Sequence, residues 1–285
     1  MFVYEIHIPA KDEDLWDNRL SLAEPATQVS TRIDPETISI EATFPDDLAP
    51  SILQMAYGGT LKPLIATGLT DGWESLPAMI GSRFLVIDSR DSNPETDRIV
   101  LQISDKEGVF VGHRHPTTLA CLRMMHDLHD EERLPEAFRC LDVGCGNGIL
   151  GITAGLLGAE TVDGLDLCQD AITTAKANAA RYALPQTRWQ CTDLNNFITE
   201  QTYDLVIANL FSDLLGKSFD SLHRWLSPNG YLIISGILQR FKEPVLSAAQ
   251  EANLTIIESR QRGPWITTLL GSNGQRDTSA AYFSR

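Results

Sequence analysis

The sequence predicts a doubly wound, mostly parallel α/β sheet preceded by a smaller α+β domain. Three observations predict it. Apolar strands alternate with helical stretches from residue 140 to residue 252, the pattern of a parallel sheet with helices on both faces. A glycine-rich turn, Gly144-Cys145-Gly146-Asn147-Gly148, falls between a strand and a helix. The first 66 residues instead read β-α-β-β-α-β, the split motif of ferredoxin-like domains.

In order, Phe2–Ile8 alternates as a strand. Lys11–Ala23 follows as a helix, with Leu15, Trp16, Leu20 and Leu22 expected on its buried side. Gln28–Ile33 and Thr37–Phe44 are strands separated by the turn pair Asp34-Pro35. Asp46–Tyr57, apolar at Leu48, Ile52, Leu53 and Met55, is a helix that stops at Gly58-Gly59. Leu61–Ala66 is a fourth strand. Residues 1–70 are thus expected to form the smaller domain, residues 71–108 a connector and residues 109–285 the α/β domain. Within the connector, Arg83–Ile87 and Arg98–Ile103 read as strands and Asp88–Asp97 as a polar link.

The α/β domain begins with a helix carrying Leu119, Leu122 and Met125, with Pro116 in its first turn. Strands are expected at Cys140–Val143, Thr161–Leu165, Thr187–Gln190, Tyr203–Ala208 and Tyr231–Ser235. Helices are expected at Ile149–Leu157, Gln169–Tyr182, Ser212–Leu226 and Phe241–Ala252. Thr255–Ser259 and Trp265–Leu270 close the chain as an antiparallel hairpin. Ligands of such sheets bind beyond the carboxyl ends of the strands, so the chemistry is sought there.

Composition narrows the function. With 38 acidic and 23 basic residues the net charge is −15, which argues against direct nucleic-acid binding or attachment to an anionic membrane. The acid is uneven, 19 acidic against 8 basic in residues 1–109 and 19 against 15 thereafter. An acidic N-terminal third can steer a basic protein partner, although a solvated face that keeps the protein soluble is the simpler explanation. The five cysteines show no C-x-x-C spacing, so neither a disulfide framework nor a zinc ribbon is expected. With no secretory signal and no apolar run of spanning length, the expected location is the cytoplasm.

The glycines of the 144–148 turn let the backbone bend sharply and admit a ligand without a Cβ in the way. The helix after Gly148 presents free N–H groups to an anionic group. Asp166, 22 residues past Gly144, ends the next strand, where a carboxylate can accept both ribose hydroxyls. Together they point to a nucleoside cofactor. Gly146 to Gly151 also satisfies G-x-G-x-x-G, so a dinucleotide stays open. Two acidic positions favour S-adenosylmethionine. Asp142 suits its cationic methionine amine, and Asp193, after the following strand, can contact the adenine or its solvent shell.

Asn209 ends the strand beside this loop. Its amide oxygen can accept a hydrogen bond from a substrate amine and so aim the nitrogen lone pair; capping a turn would also explain it. Phe211 is read as core. Leu210 and Phe211 stand where methyltransferases of nucleobases and glutamine often carry two prolines, so a flipped base is a poorer acceptor. Thr117 and Thr118 lie near a helix start, where capping alone could account for them. His113, His115, His126 and His129, even with Asp127 and Asp130, supply no complete ligand set, and no metal is expected.

These motifs in this order resemble the ribosomal protein L11 methyltransferase family (PrmA type). The resemblance rests on His115-Pro116-Thr117-Thr118, on Asp142 with Gly144, Gly146 and Gly148, and on Asp166. It rests also on Ala208-Asn209-Leu210, Ser235-Gly236-Ile237-Leu238 and Gly263-Pro264-Trp265. It covers roughly residues 110–270, with a weaker echo at Gly72-Trp73-Glu74 and Ile80–Val86. It implies a Rossmann-like S-adenosylmethionine-dependent methyltransferase acting on lysine side chains and the α-amine of a ribosomal protein. The ferredoxin-like domain would then recognise substrate. Thr118, Gly144, Asp166 and Asn209 would be cofactor contacts, with Asn209 also near the acceptor amine. One departure stands out: Val111-Gly112-His113 replaces the family's Gly-Thr-Gly and would stiffen or reshape that loop. The alternatives are a methyltransferase for another protein or a small amine, a catalytically silent cofactor-binding module, and an NAD-dependent oxidoreductase.

Overall fold

The computed structural model describes residues 2–23, 25, 27–44, 48–63, 77–87, 94–104 and 115–272. The chain divides into two compact units, Met1–Gly72 and Trp73–Arg285.

In the first unit, β1 (Phe2–Pro9), β2 (Thr27–Arg32), β3 (Thr37–Phe44) and β4 (Thr60–Pro63) form an antiparallel sheet in the order β2-β3-β1-β4. Helices α1 (Glu13–Ala23) and α2 (Leu48–Tyr57) complete the expected β-α-β-β-α-β order. Alternation decides the buried face: Tyr4, Ile6 and Ile8 of β1 meet Ile38, Ile40, Ala42 and Phe44 of β3. Trp16 and Leu20, one helical turn apart, cover them from α1, and Leu53 does so from α2. Leu15 and Met55, both read as apolar positions of the helices, are 49% and 44% exposed. Each lies one or two residues off the buried stripe, a rotation of 100° or 200° that turns it outward. Tyr4 donates its hydroxyl to the Gly58 carbonyl at 2.8 Å, closing α2 onto the sheet.

The second unit opens with three short strands, β5 (Ala78–Ile80), β6 (Phe84–Ile87) and β7 (Ile99–Gln102). β5 is antiparallel to β6, and β6 parallel to β7. The three residues of β5 carry too little alternation to be read from sequence. The stretch read as a connector therefore holds a small sheet, and Ile80, Phe84, Val86, Leu101 and Ile103 share one core with the helices that follow. Part of the expected polar link, residues 88–93, lies outside the described residues, as do residues 64–66 of the expected fourth strand.

The remaining strands are β8 (Arg139–Val143), β9 (Thr161–Asp166), β10 (Thr187–Cys191), β11 (Tyr203–Asn209), β12 (Leu226–Leu238), β13 (Leu254–Arg262) and β14 (Trp265–Ser272). They form one sheet in the order β10-β9-β8-β11-β12-β14-β13. The first five are parallel, and β14 and β13 return antiparallel as the expected hairpin. Helices α3 (Pro116–Asp130), α4 (Ile149–Leu156) and α5 (Gln169–Arg181) share a core with the small sheet and one face of the large one. Helices α6 (Ser212–Trp225) and α7 (Lys242–Glu251) cover the other. Successive residues of β8 and β11 divide between the two cores: Leu141, Val143, Val206 and Ala208 on one side, Cys140, Leu205 and Ile207 on the other.

Two side chains tie these layers together. Trp189 of β10 lies over a trough of glycines: a Cβ at Gly164 would collide with its ring, and one at Gly151 would come within 2.9 Å. Asn178 of α5, 1% exposed, makes three hydrogen bonds with its side-chain amide. Its Oδ1 accepts the N–H of Ser104 at 3.0 Å, and its Nδ2 donates to the carbonyls of Ser104 and Asn147, both at 2.9 Å. At the C-cap of the same helix, the Tyr182 hydroxyl accepts the N–H of Gln102 and donates to the Val100 carbonyl. α5 thus supplies hydrogen bonds to the outer edge of β7 in place of another strand.

Candidate active site

The sheet register gathers the expected residues. Ala208 pairs with Val143 and Val143 with Leu165. One step further on, Asn209, Gly144 and Asp166 leave three adjacent strands side by side. Asn209 and Asp166 therefore face each other across the glycine loop, two strand spacings or roughly 10 Å apart.

The loop is fixed mainly by backbone bonds. The N–H groups of Gly144 and Cys145 both donate to the Leu165 carbonyl, at 2.8 and 2.9 Å. Gly146 donates its N–H to Asp166 Oδ2 at 2.9 Å, and Cys168 donates to Asp166 Oδ1 at 2.9 Å. Each carboxylate oxygen keeps a lone pair for a further donor. Burial raises the Asp166 pKa, opposed by the N–H groups of Cys168, Gly146 and Leu167. Gly144 and Gly146 have positive φ angles of 72° and 53°. A Cβ on Gly144 would collide with Leu210, whereas one on Gly146 would meet nothing within 4 Å among the described residues.

Asp142 lies beneath the loop, 1% exposed. Its Oδ2 accepts the N–H of Gly151 at 2.9 Å, pinning the first turn of α4, and its Oδ1 is buried without a hydrogen-bond partner among the described residues. Burial raises its pKa to about 7, with the Gly151 N–H acting against the rise and the charge of Asp166 adding to it. This orphaned oxygen and the open space above Gly146 fit a ligand with a cationic group near the loop and a sugar near Asp166.

On the other side, Asn209 donates Nδ2 to Thr118 Oγ1 at 3.3 Å, so two expected site residues meet directly. Thr118 and Thr117 are each 2% exposed. The cap of α3 is His115, whose Nδ1 lies 2.7 Å from Thr117 Oγ1 and accepts the Thr117 N–H at 3.3 Å. Burial lowers the His115 pKa to about 3, so the ring is neutral and able to accept. Its edge packs on Trp265, with ring centroids 4.9 Å apart. The late Gly263-Pro264-Trp265 motif therefore supports the start of α3. The sequence puts capping on Thr117 and Thr118, whereas the cap is His115; its place just before a proline at the first helical position is the signal for it. Gly236, at φ 84°, lets the backbone of Leu210 pass where any Cβ would collide. Leu210 packs on the core, whereas Phe211, read as core, is half-buried at the N-cap of α6.

Asp193 follows β10, half-buried, and caps a short 3-10 turn: its Oδ1 accepts from the backbone N–H of Asn195 at 2.8 Å and from its side-chain Nδ2 at 2.9 Å. Thr192 beside it donates its N–H to the Asp166 carbonyl at 2.9 Å, which keeps Asp193 on the Asp166 side of the loop. Among the described residues no group of three or more His, Cys, Asp or Glu side chains forms a metal cage. The Val111-Gly112-His113 loop lies outside the described residues.

The strand order, the glycine turn and the carboxylate at the end of the second strand define a Rossmann-like domain of the class I methyltransferase type. A crystal structure of ribosomal protein L11 methylase from Lactobacillus delbrueckii subsp. bulgaricus resembles the chain with a TM-score of 0.58 and 25% identity, covering 68% of this chain and 96% of that one. The family model for ribosomal protein L11 methyltransferase (PrmA) matches residues 69–272, and the chain belongs to that family. Relatives named ribosomal protein L11 methyltransferase include one from Dictyoglomus thermophilum, 35% identical over 197 residues, or 69% of this chain. Another, from Cupriavidus metallidurans, is 30% identical over 261 residues, covering 85% of this chain and 80% of the relative. The Dictyoglomus match spans 62% of that relative's length.

Proposed function

We propose that this protein is an S-adenosylmethionine-dependent N-methyltransferase whose acceptor is an amine of a basic ribosomal protein, on lysine side chains or an α-amine. The observation that carries the reading is the shared register of Asn209, Gly144 and Asp166, which sets an acceptor group and a sugar-binding carboxylate on either side of one glycine loop. The first unit serves as the substrate-recognition domain; the acidic surplus of residues 1–109 suits a basic partner. The reading places the enzyme in the cytoplasm; no described helix is long and apolar enough to cross a membrane.

When bound, S-adenosylmethionine supplies an electrophilic methyl group on a positively charged sulfur. Asp166 accepts the ribose hydroxyls with the lone pairs left over from Gly146 and Cys168. Gly146 leaves the space over the loop without a side chain and Gly144 makes room for Leu210, Asp142 provides negative charge beneath the loop for the methionine amine, and Asp193 lines the adenine side. Thr118 holds the Nδ2 of Asn209, which turns Oδ1 to the acceptor amine and aligns its lone pair. A lysine acceptor must first lose its proton, which leaves through water. Thr117 and His115 hold Thr118 in place.

The test is transfer of a labelled methyl group to purified ribosomal proteins, with cofactor binding measured by calorimetry. Asp166→Ala removes two charge-assisted hydrogen bonds of about 1.5–3 kcal/mol each and should weaken cofactor binding roughly a hundredfold or more. Asn209→Ala should lower turnover about tenfold or more, and lower cofactor affinity by less than that. Unchanged affinity in the Asp166 variant would overturn the site assignment. Tight binding with no labelled acceptor would favour the silent cofactor-binding module.

A further inference from the structure

Two of the five cysteines lie apart from the buried ones. Cys121, Cys140 and Cys145 are enclosed in the core, whereas Cys191 is exposed and Cys168 half-exposed. The pair flanks Asp166. Cys191 ends β10 opposite Asp166 in the parallel register, and Cys168 opens α5 two residues beyond Asp166, its N–H held by Asp166 Oδ1. The thiol of Cys191 reaches the carbonyl oxygen of Leu167 at 3.3 Å. That oxygen belongs to the peptide leading into Cys168, and standard peptide geometry places it within about 3 Å of the Cys168 Cα. The Cys191 sulfur therefore lies no more than about 6 Å from the Cys168 Cα, close to the span a disulfide bridges. Rotation of the two side chains and a small shift at the Leu167–Cys168 turn bring the sulfurs together.

We propose that Cys168 and Cys191 form an oxidisable thiol pair, and that their disulfide reshapes the nucleoside side of the site and weakens cofactor binding. The inference rests on the cofactor reading above. The oxidant is a peroxide. The exposed Cys191, as thiolate, attacks one oxygen of hydrogen peroxide; the O–O bond breaks, hydroxide leaves and takes up a proton, and Cys191 becomes a sulfenic acid. The Cys168 thiolate then attacks that sulfur and expels the remaining hydroxide, which is protonated in turn. Two thiols and one peroxide give one disulfide and two waters. The bond pulls the Leu167–Cys168 turn toward β10. The N–H of Cys168 that orients Asp166 Oδ1 moves with it, so the carboxylate loses the setting in which it meets a ribose.

The full chain is treated with hydrogen peroxide, digested under non-reducing conditions and mapped by mass spectrometry. S-adenosylmethionine binding is measured calorimetrically before oxidation, after it, and after reduction with dithiothreitol. The expected result is a Cys168–Cys191 crosslink, binding weakened about tenfold or more, and recovery on reduction. Cys191→Ser should bind like the parent and stay insensitive to peroxide. Absence of the crosslink, or a crosslinked protein that binds as tightly as the reduced one, would overturn the proposal. A reduced protein that does not bind S-adenosylmethionine at all would sink the cofactor reading and the affinity effect with it, while the peptide map still decides whether the thiols pair.

Discussion

Asp142→Asn gives the sharpest test of the electrostatics under the loop. In the folded chain the Asp142 carboxyl titrates near pH 7, against an ordinary value of 3.8, because it is buried. A raised carboxyl pKa means the folded state holds the proton more tightly than the unfolded one. The associated stability is therefore fully present below about pH 4 and is lost as the pH rises through 7. Taking those two values, the loss between pH 5 and pH 8 is about 2–3 kcal/mol. Asparagine keeps an oxygen for the Gly151 N–H but cannot ionise. Its NH2 group puts two donors where the protonated carboxyl of the parent puts one, a cost of about 1–3 kcal/mol for the added unpaired donor. The variant should therefore be the less stable protein at pH 5 and should gain on the parent as the pH rises. For a unit of this size, 2–3 kcal/mol corresponds to roughly 5–10 °C in the difference between the two melting temperatures. Thermal melts of both proteins without cofactor, from pH 5 to pH 8, measure it. A difference that stays constant across that range would refute the reasoning, because it would mean that Asp142 does not titrate between pH 5 and pH 8.

Three further substitutions probe the scaffold. Gly164→Ala drives a methyl into the Trp189 ring and should cost about 1–3 kcal/mol, read as a lower denaturant midpoint. His115→Ala removes the cap of α3 and its edge contact with Trp265; a loss of about 1–2 kcal/mol is expected. Turnover should fall as well, because Thr118 loses its support, and restored turnover in His115→Asn, which can still cap, would identify capping as the role. Tyr4→Phe deletes the hydrogen bond to Gly58 and should destabilise the first unit by about 1 kcal/mol. Faster hydrogen exchange confined to residues 2–63 would show it, and exchange unchanged there would count against that bond.

Much of this was legible in the sequence because periodicity is strong where elements are long. The parallel strands, the closing hairpin and the β-α-β-β-α-β order follow from alternation and turn residues alone, and β3 begins and ends where the pattern places it. The glycine turn and Asp166 could be assigned to one end of the sheet because strand–turn–helix order fixes where each strand stops. What stayed hidden is tertiary. β5 is too short to show a period. Leu15 looks as apolar as Trp16 until the helix is set on its sheet. Neither Trp189 lying across Gly151 and Gly164 nor Asn178 bridging Ser104 and Asn147 leaves a local signature, since each depends on residues far away in the chain. The Thr118–Asn209 contact joins positions 91 residues apart, and only the sheet order brings them together.

The buried amide of Asn178 gives the second unit a mechanical linkage. The chain leaving β7 and the turn that holds Gly146 and Gly148 grip the same side chain from opposite sides. A tug on Ser104 must either break its two bonds to that amide or drag the turn along. Strain applied at the small sheet can thus reach the glycine turn through this amide.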